Sequence, residues 1–205
     1  MAKLLYIEAS PRKQRSASIA VAKEYLAAYQ AAHPQDTVEV LDLWAADLPR
    51  LDETTLDARY AVGAGQPLTP EQEAAWQAVV KVVEHFKSAD RYLFSVPMWN
   101  FSIPYILKHY LDAITHPGLT FGYTPEKGYF GLVPGKKATV IYARGGAYAP
   151  GTPGEAYDLQ SRYLNNALGF IGITDVSSIF VEPVMIDKET ALCKAKAEAV
   201  RLAAL

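Results

Sequence analysis

The sequence predicts one α/β domain whose parallel five-stranded sheet is covered by helices on both faces. Short apolar runs alternate along the 205 residues with longer segments of helical period. Two of these runs, 4–7 and 138–142, are almost continuously apolar, which is typical of strands that are buried on both faces. The chain length suits a single domain, 1–205, with one sizeable core.

Strand and helix candidates alternate along the whole chain. The strand candidates, rich in Val, Ile, Leu and Tyr, lie at 3–8, 37–43, 90–96, 137–143 and 174–181. The helix candidates lie between them at 16–32, 70–88, 102–115, 155–170 and 188–204. Regular alternation of this kind predicts a doubly wound sheet. Five strands favour the flavodoxin-like order 2-1-3-4-5 over the six-stranded Rossmann order. The predicted architecture is therefore a flavodoxin-like three-layer sandwich.

Two of the predicted helices have recognisable starts. Thr69, Pro70 and Gln72 have the pattern of a capping box, with the proline in the first turn. Asp187 is placed to cap the last helix. In that helix, apolar residues recur at spacings of three and four and predict a core-facing stripe of Leu192, Ala195, Ala199 and Leu202.

Composition and charge exclude several classes of function. The net charge of -2 provides no basic surface for nucleic acid. No apolar stretch approaches the ~20 residues of a membrane-spanning helix, and the first apolar run is too short for a signal peptide. Cys193 is the one cysteine, which excludes an internal disulfide and a cysteine-based zinc site, and we expect a cytoplasmic protein. The four histidines show no metal-binding spacing.

The topology predicts where a ligand binds. In open α/β sheets this is beyond the carboxyl ends of the strands, where the strand order reverses. In the order 2-1-3-4-5, the first, third and fourth strands are neighbours, so the loops that follow them meet at one edge. We call these segments the first loop (9–18), the second loop (97–101) and the third loop (143–148).

The first loop has the features of an anion site. Ser10, Ser16 and Ser18 supply hydroxyl groups, and the last two lie where a helix begins, so free N–H groups and the helix dipole favour a phosphate there. Arg12 and Arg15 add positive charge. The alternative is that Ser16 only caps the helix and that the basic side chains are solvated. No Gly-Lys-Ser/Thr follows, so this is not a Walker A loop.

The second and third loops suit a flat ligand with a polar edge. Trp99 and Phe101 offer rings for stacking and Asn100 an amide, although aromatic residues after a strand also commonly belong to the core. Gly145 and Gly146 allow close approach of backbone N–H donors, although they also suit a plain turn. A phosphate site, a slot for a planar ring and a donor loop together indicate FMN, and no Gly-x-Gly-x-x-Gly for a dinucleotide follows the first strand.

At these residues the sequence resembles the FMN-dependent NADH:azoreductases, flavoenzymes related to the NAD(P)H:quinone oxidoreductases. The similarity covers nearly the whole chain. The most specific motif is Pro97-Met98-Trp99-Asn100-Phe101-Ser102-Ile103-Pro104. Further matching motifs lie at 107–112, 118–123, 131–137, 144–146 and 168–175.

The resemblance implies a binding mode for the cofactor. It places the FMN phosphate at Ser10, Ser16, Ala17 and Ser18. It places the isoalloxazine ring along Pro97, Met98, Trp99, Asn100 and Phe101 and along Ala143, Arg144, Gly145 and Gly146. It also implies a homodimer with active sites at the subunit interface. From the residues alone, Arg144 is either a ligand contact or an exposed charge.

The resemblance further implies a two-electron oxidoreductase that uses NADH or NADPH to reduce quinones and azo compounds, cleaving azo bonds to amines. We expect a ping-pong cycle in which donor and acceptor occupy the same place in turn. No protein nucleophile is needed, so no catalytic side chain is predicted. Phe121, Tyr123 and Tyr148 are candidates for a wall on which the substrate stacks. The alternative is a flavodoxin-type one-electron carrier, against which the small net charge argues.

Two positions depart from the family pattern. Trp99 stands where the family often has tyrosine, and Ala143 stands where it often has serine. Tryptophan keeps a ring but changes its reach, and alanine removes a hydroxyl while the backbone donors remain. We therefore expect these changes to affect the range of acceptors more than flavin binding.

Overall fold

The main sheet has the predicted strand order. The computed structural model describes all residues from Met1 to Leu205. The seven strands are β1 (Lys3–Glu8), β2 (Thr37–Asp42), β3 (Arg91–Pro97), β4 (Phe121–Thr124), β5 (Gly128–Gly131), β6 (Lys137–Ala143) and β7 (Asp175–Val181). Five of them form a parallel sheet in the order β2-β1-β3-β6-β7, which confirms the flavodoxin-like fold.

Six helices complete the fold: α1 (Ala17–Ala32), α2 (Glu53–Gly63), α3 (Pro70–Lys87), α4 (Tyr105–Ile114), α5 (Leu159–Phe170) and α6 (Lys188–Ala203). Alternate side chains of each strand enter two different cores. Leu4 and Tyr6 of β1 pack with α1 and α6, whereas Leu5 and Ile7 pack with α3, α4 and α5. The sheet is therefore buried on both faces, as its apolar strands predict.

Two elements lie between the predicted helices and strands, in stretches for which the sequence analysis predicts neither. Helix α2 lies within 43–69 and is capped by Asp52, whose carboxylate accepts a hydrogen bond from the Thr55 N–H. It buries only Thr55 and Ala58, so no apolar stripe marks it. Strands β4 and β5 form an antiparallel hairpin within 116–136, and each has only four residues. Strands this short, flanked by glycine, give no clear alternation.

The helix ends are set by local residues. The capping box at Thr69 and Gln72 is present, and Asp187 caps α6 as predicted. Helix α4 begins at Tyr105 rather than at 102 because Pro104 precedes its first turn. Helix α5 begins at Leu159 rather than at 155, since 155–157 form a separate 3₁₀ turn and Asp158 caps the helix.

The core stripe of α6 differs in part from the prediction. The buried residues are Ala191, Ala195, Ala199 and Ala203. Leu192 and Leu202 are only partly buried and flank this stripe. Small side chains at a spacing of four allow α6 to pack closely on α1, so the stripe follows alanine rather than leucine. No helix has the length and apolar character needed to span a membrane.

His116, just beyond α4, makes stability depend on pH. Its ring is buried, and the centres of the His116 and Trp76 rings are 5.3 Å apart. Neither nitrogen of the His116 ring has a hydrogen-bond partner. Burial, aided by the nearby charge of Arg59, lowers the pKa of His116 to about 4 from 6.5. The unfolded chain takes up this proton at a higher pH than the folded protein, so the free energy of unfolding falls between pH 6.5 and about 4.

We predict that His116→Phe reduces this part of the pH dependence, because phenylalanine has no proton to gain. The measurement is urea unfolding of the wild-type protein and the variant, near neutral pH and at pH values between about 4 and 6.5. The loss of free energy of unfolding on acidification should be smaller in the variant. An equal loss in both proteins would contradict a neutral, buried His116.

Candidate functional site

The parallel register brings the three loops together at one edge of the sheet. Pro97 at the end of β3 lies opposite Ala143 at the end of β6. The Ala9 N–H donates to the Ser95 carbonyl at 3.1 Å, and the Met98 N–H donates to the Ala143 carbonyl at 2.8 Å. The first loop is thus tied to β3, and the second loop is tied to the end of β6.

The first loop presents hydroxyl groups and unpaired N–H groups on the same segment. Ser10, Ser16 and Ser18 are buried, and the hydroxyl oxygens of the last two are 3.1 Å apart. Ser16 also caps α1 by accepting from the Ile19 N–H, so the capping role is confirmed, while its contact with a phosphate stays a prediction. The N–H groups of Ser10, Ala17 and Ser18 have no acceptor in the chain. This arrangement suits a phosphate oxygen.

The basic residues of the first loop divide into two groups. Lys13, at a φ of 47°, forms ion pairs with Glu8 at 2.5 Å and Asp42 at 2.6 Å, so its charge is used within the protein. Arg12 and Arg15 are exposed and form no ion pair. Lys13 therefore anchors the loop, and only the two arginines can attract an anion from solvent.

The second loop is a tight turn with strained backbone. Trp99 and Ser102 exchange two hydrogen bonds, at 2.9 and 3.0 Å, across Asn100 and Phe101. These central residues have φ of 46° and 71°, a left-handed conformation that asparagine tolerates and phenylalanine rarely adopts. Their N–H groups have no acceptor, and the Phe101 ring is 45% exposed. Strain of this kind is typical of functional sites. The exposure of Phe101 shows that it does not belong to the core.

The third loop exposes three successive backbone donors. The N–H groups of Gly145, Gly146 and Ala147 have no acceptor. The carbonyl of Gly145 accepts from the Met185 N–H at 3.0 Å, and that of Ala147 accepts from the Thr152 hydroxyl at 3.1 Å. Two of the carbonyls are thus bound within the protein while the N–H groups are not, so these N–H groups are available to an acceptor outside the chain.

Arg144 is not an exposed charge, and its contact with the flavin stays a prediction. Its side chain is fully buried and pairs with Asp158 at 2.8 Å and with Glu182 at 3.3 Å. Burial alone would raise the pKa of Asp158, but hydrogen bonds from Ser161 and the Arg144 charge hold that pKa below its usual value. The N–H and carbonyl of Arg144 are also paired within the chain. It supports the third loop from beneath.

Comparison with known proteins shows the family of this chain. Residues 2–203 match the model of a family with the flavodoxin-like fold. Over 204 residues the chain is 54% identical to the FMN-dependent NADH:quinone oxidoreductase of Nitratidesulfovibrio vulgaris, covering 99% of this chain and 97% of that protein. The chain belongs to this family. The enzyme of the same name from Desulfotalea psychrophila is 50% identical over 206 residues, with coverage of 99% and 97%.

Solved structures of the family have the same fold. An azoreductase from Bacillus anthracis str. Sterne superposes with a TM-score of 0.92 at 33% identity, covering 100% of this chain and 99% of that chain. An FMN-dependent NADH-azoreductase from Bacillus anthracis str. Ames Ancestor, solved in complex with FMN, gives 0.91 at 32% identity, with coverage of 99% and 98%. The resemblance to the azoreductases and quinone oxidoreductases is thereby confirmed.

The residues present fit FMN. The unpaired donors of the first loop suit the phosphate, and the exposed ring of Phe101 offers a surface on which a flat ring can stack. The donors of the second and third loops suit the polar edge of that ring. A cavity of about 420 Å³ adjoins the second loop and is lined by residues that include Trp99, Asn100 and Tyr105.

The predicted substrate wall is only partly at this edge. Tyr148 belongs to the third loop and lies against Gly146. Phe121 and Tyr123 lie on the β4–β5 hairpin, where Phe121 packs on Phe170 with ring centres 4.7 Å apart. Helix α5 starts beside the second loop, ends at Phe170 and is about 18 Å long for its 12 residues. The hairpin therefore does not reach the loops of its own chain.

Several supporting residues were missed by sequence reasoning. Trp44, after β2, packs against Trp99 and donates its ring N–H to the Ala9 carbonyl at 3.1 Å. Asp158, the cap of α5, and Gln160 in its first turn hold Arg144. Glu182 holds it from the end of β7, and its place directly after a predicted strand was a usable signal. Trp44 and Gln160 carry no comparable signal.

We predict that Phe101→Gly stabilises the apoprotein but weakens FMN binding. Glycine removes the cost of the left-handed backbone, about 1 kcal/mol, and also removes the ring available for stacking. Chemical unfolding and flavin-fluorescence titration measure the two effects. Phe101→Ala is the matched control, since it removes the ring but keeps the Cβ, and it should weaken FMN binding with no gain in stability. Equal FMN affinity in all three proteins would contradict a role for Phe101.

Proposed function

We propose that this protein is an FMN-dependent oxidoreductase that passes two electrons from NADH or NADPH to quinones and azo compounds. The observation that carries the proposal is the set of unpaired backbone donors on three loops at one sheet edge, beside the exposed, strained Phe101. Ser10, Ser16, Ala17 and Ser18 would hold the phosphate. The ring would lie along Pro97, Met98, Trp99, Asn100 and Phe101 and the loop that begins at Ala143.

The chain's own residues then bind and orient. FMN, when bound, supplies the hydride chemistry. The N–H groups of Gly145, Gly146 and Ala147 are preorganised donors, which favour negative charge on the polar edge of the ring. The open cavity beside Trp99 leaves space for a flat donor or acceptor. One such space supports a ping-pong cycle, in which NAD(P)H leaves before the acceptor enters.

A flavodoxin-type one-electron carrier is the second candidate. It shares the fold and the cofactor site, but carriers of this type dock to proteins through an acidic face. This chain has a net charge of -2, and its exposed residues near the loops include Trp99, Phe101 and Tyr105. An aromatic rather than acidic surface favours small flat substrates.

The single Cys193 forms no disulfide, which supports a cytoplasmic location.

Anaerobic stopped-flow of the FMN-loaded protein tests the function. Mixing with NADH or NADPH should bleach the oxidised-flavin absorbance in a two-electron step, and the two rates give the donor preference. A benzoquinone or an azo dye, added in a second mixing step, should restore the absorbance. If FMN stays bound but neither nucleotide bleaches it, the reductase proposal fails. Accumulation of a one-electron-reduced flavin would then favour the carrier.

We also propose that the protein is a homodimer with active sites at the subunit interface. Tyr123 and Tyr129 of the hairpin are 61% and 65% exposed, yet they lie away from the loops of their own chain. The exposed rings of Trp99, Phe101 and Tyr105 at the loops are a matching apolar surface. A two-fold pairing that places the hairpin of one subunit over the loops of the other would cover both.

We predict that the native mass is twice that of the chain and that Tyr123→Ser lowers kcat/KM for a benzoquinone by about tenfold. Light scattering after size exclusion gives the mass, and steady-state kinetics gives the second quantity. Val200→Ser, on the exposed side of α6, is the control and should leave both unchanged. A fully active monomer would refute the interface arrangement.

A further inference from the structure

The third loop rests on a buried network of charges centred on Arg144. Its Nε donates to the Gln160 side-chain oxygen at 3.0 Å, its Nη1 to Glu182 at 3.3 Å and its Nη2 to Asp158 at 2.8 Å. The guanidinium also lies over the ring of Phe180 at 4.4 Å. Three acceptors in three directions suit a planar guanidinium and do not suit the single ammonium of lysine.

Glu182 connects this network to the backbone of the third loop. Its Oε2 accepts from the Tyr148 N–H at 3.1 Å as well as from Arg144. Its Oε1 accepts from the N–H of Ala149 at 2.9 Å. The Glu182 side chain is 9% exposed, and both of its oxygens are already bonded within the protein. Both of its oxygens serve to hold the chain that follows Gly145, Gly146 and Ala147.

The network also reaches the second loop. Gln160, which binds Arg144, donates from its Nε2 to the Val96 carbonyl at 3.0 Å, one residue before Pro97. Asp158 caps α5, and the next N–H, that of Leu159, donates to the Phe101 carbonyl at 3.1 Å. The same few buried groups therefore connect both loops that face the proposed flavin ring.

The carbonyl side of the third loop is closely packed. Thr152 donates its hydroxyl to the carbonyls of Ala147 and Ala149. A Cβ on Gly154 would lie 2.3 Å from the Ala147 carbonyl oxygen, so only glycine fits there. With the following N–H groups taken up by Glu182, the donors left without a partner are the successive N–H groups of Gly145, Gly146 and Ala147.

We propose that Arg144 and Glu182 are positioning residues that hold these three N–H groups toward the flavin, and so strengthen the binding of reduced FMN relative to oxidised FMN. This inference rests on the proposed function, since it takes the third loop as a flavin contact. Reduced FMN carries a negative charge on the polar edge of its ring, and preorganised donors stabilise such a charge better than mobile ones. Buried ion pairs contribute little net stability, which agrees with a positioning role.

A role in holding the loop and a purely electrostatic role predict opposite effects of Glu182 substitutions on the binding of reduced FMN. If the carboxylate acted only through its negative charge, Glu182→Gln would remove a repulsive neighbour and favour anionic reduced FMN. If it acts by holding the loop, the same change loosens the donors and disfavours reduced FMN. Glu182→Asp separates the two further, because aspartate keeps the charge but is one methylene too short to reach the Tyr148 and Ala149 N–H groups.

The experiment measures the dissociation constants of oxidised and reduced FMN, by anaerobic titration of the full-length apoprotein. We expect Glu182→Gln, Glu182→Asp and Arg144→Lys each to lower the preference for reduced FMN by about tenfold. Arg162→Lys is the matched control, because Arg162 lies on α5 with a side chain 55% exposed and forms only a surface ion pair with Glu155. It should leave the preference unchanged.

The outcomes separate the possible failures. Circular dichroism and unfolding midpoints first identify the variants that fold, and any one folded variant suffices for the test. A preference that rises in Glu182→Gln and stays constant in Glu182→Asp would show a charge effect and overturn the proposal. Equal preference in wild type and all folded variants would also overturn it. If the wild-type protein binds no FMN, the proposed function itself fails.

Discussion

Unpaired backbone N–H groups at one edge of the parallel sheet are the constraint on which the rest of this structure depends. Where β1, β3 and β6 end, the chain leaves the sheet and its N–H groups lose their neighbouring acceptors. Donors on the first loop, on Asn100 and Phe101, and on Gly145 to Ala147 stay without a partner in the chain. Such groups are costly when they are shielded from water, so this edge favours a ligand rich in acceptors.

The protein holds these donors in place by different means on each loop. In the first loop, Lys13 is tied to two carboxylates and the start of α1 orients the N–H groups. In the second loop, a reciprocal pair of hydrogen bonds closes a turn that keeps Phe101 in a left-handed conformation. In the third loop, buried charges take this role. Each arrangement has a cost in strain or desolvation, which is consistent with preorganisation for binding.

Most of the fold could be predicted from the sequence because local pattern and tertiary environment agree. Strands such as β1 and β6 are mostly apolar since both faces are covered, and Thr69 and Asp187 mark helix starts through hydrogen bonds to nearby residues. Helix α2 and the β4–β5 hairpin were not predicted. Their stability comes from packing against distant elements, as Gly131 does against Ile171 and Gly172, and local pattern does not encode that contact.

The sequence by itself determined the strand order, the three loops at one edge and the family, because these follow from periodicity and from contiguous motifs. Only the tertiary structure decided where individual side chains point. Arg144 lies in a glycine-rich loop, yet it turns inward because Asp158 and Glu182, the latter 38 residues away, neutralise it there. Phe121 was predicted to line the substrate wall, yet it packs on Phe170 at the far end of α5. A side chain's direction depends on partners that are close in space and distant in sequence.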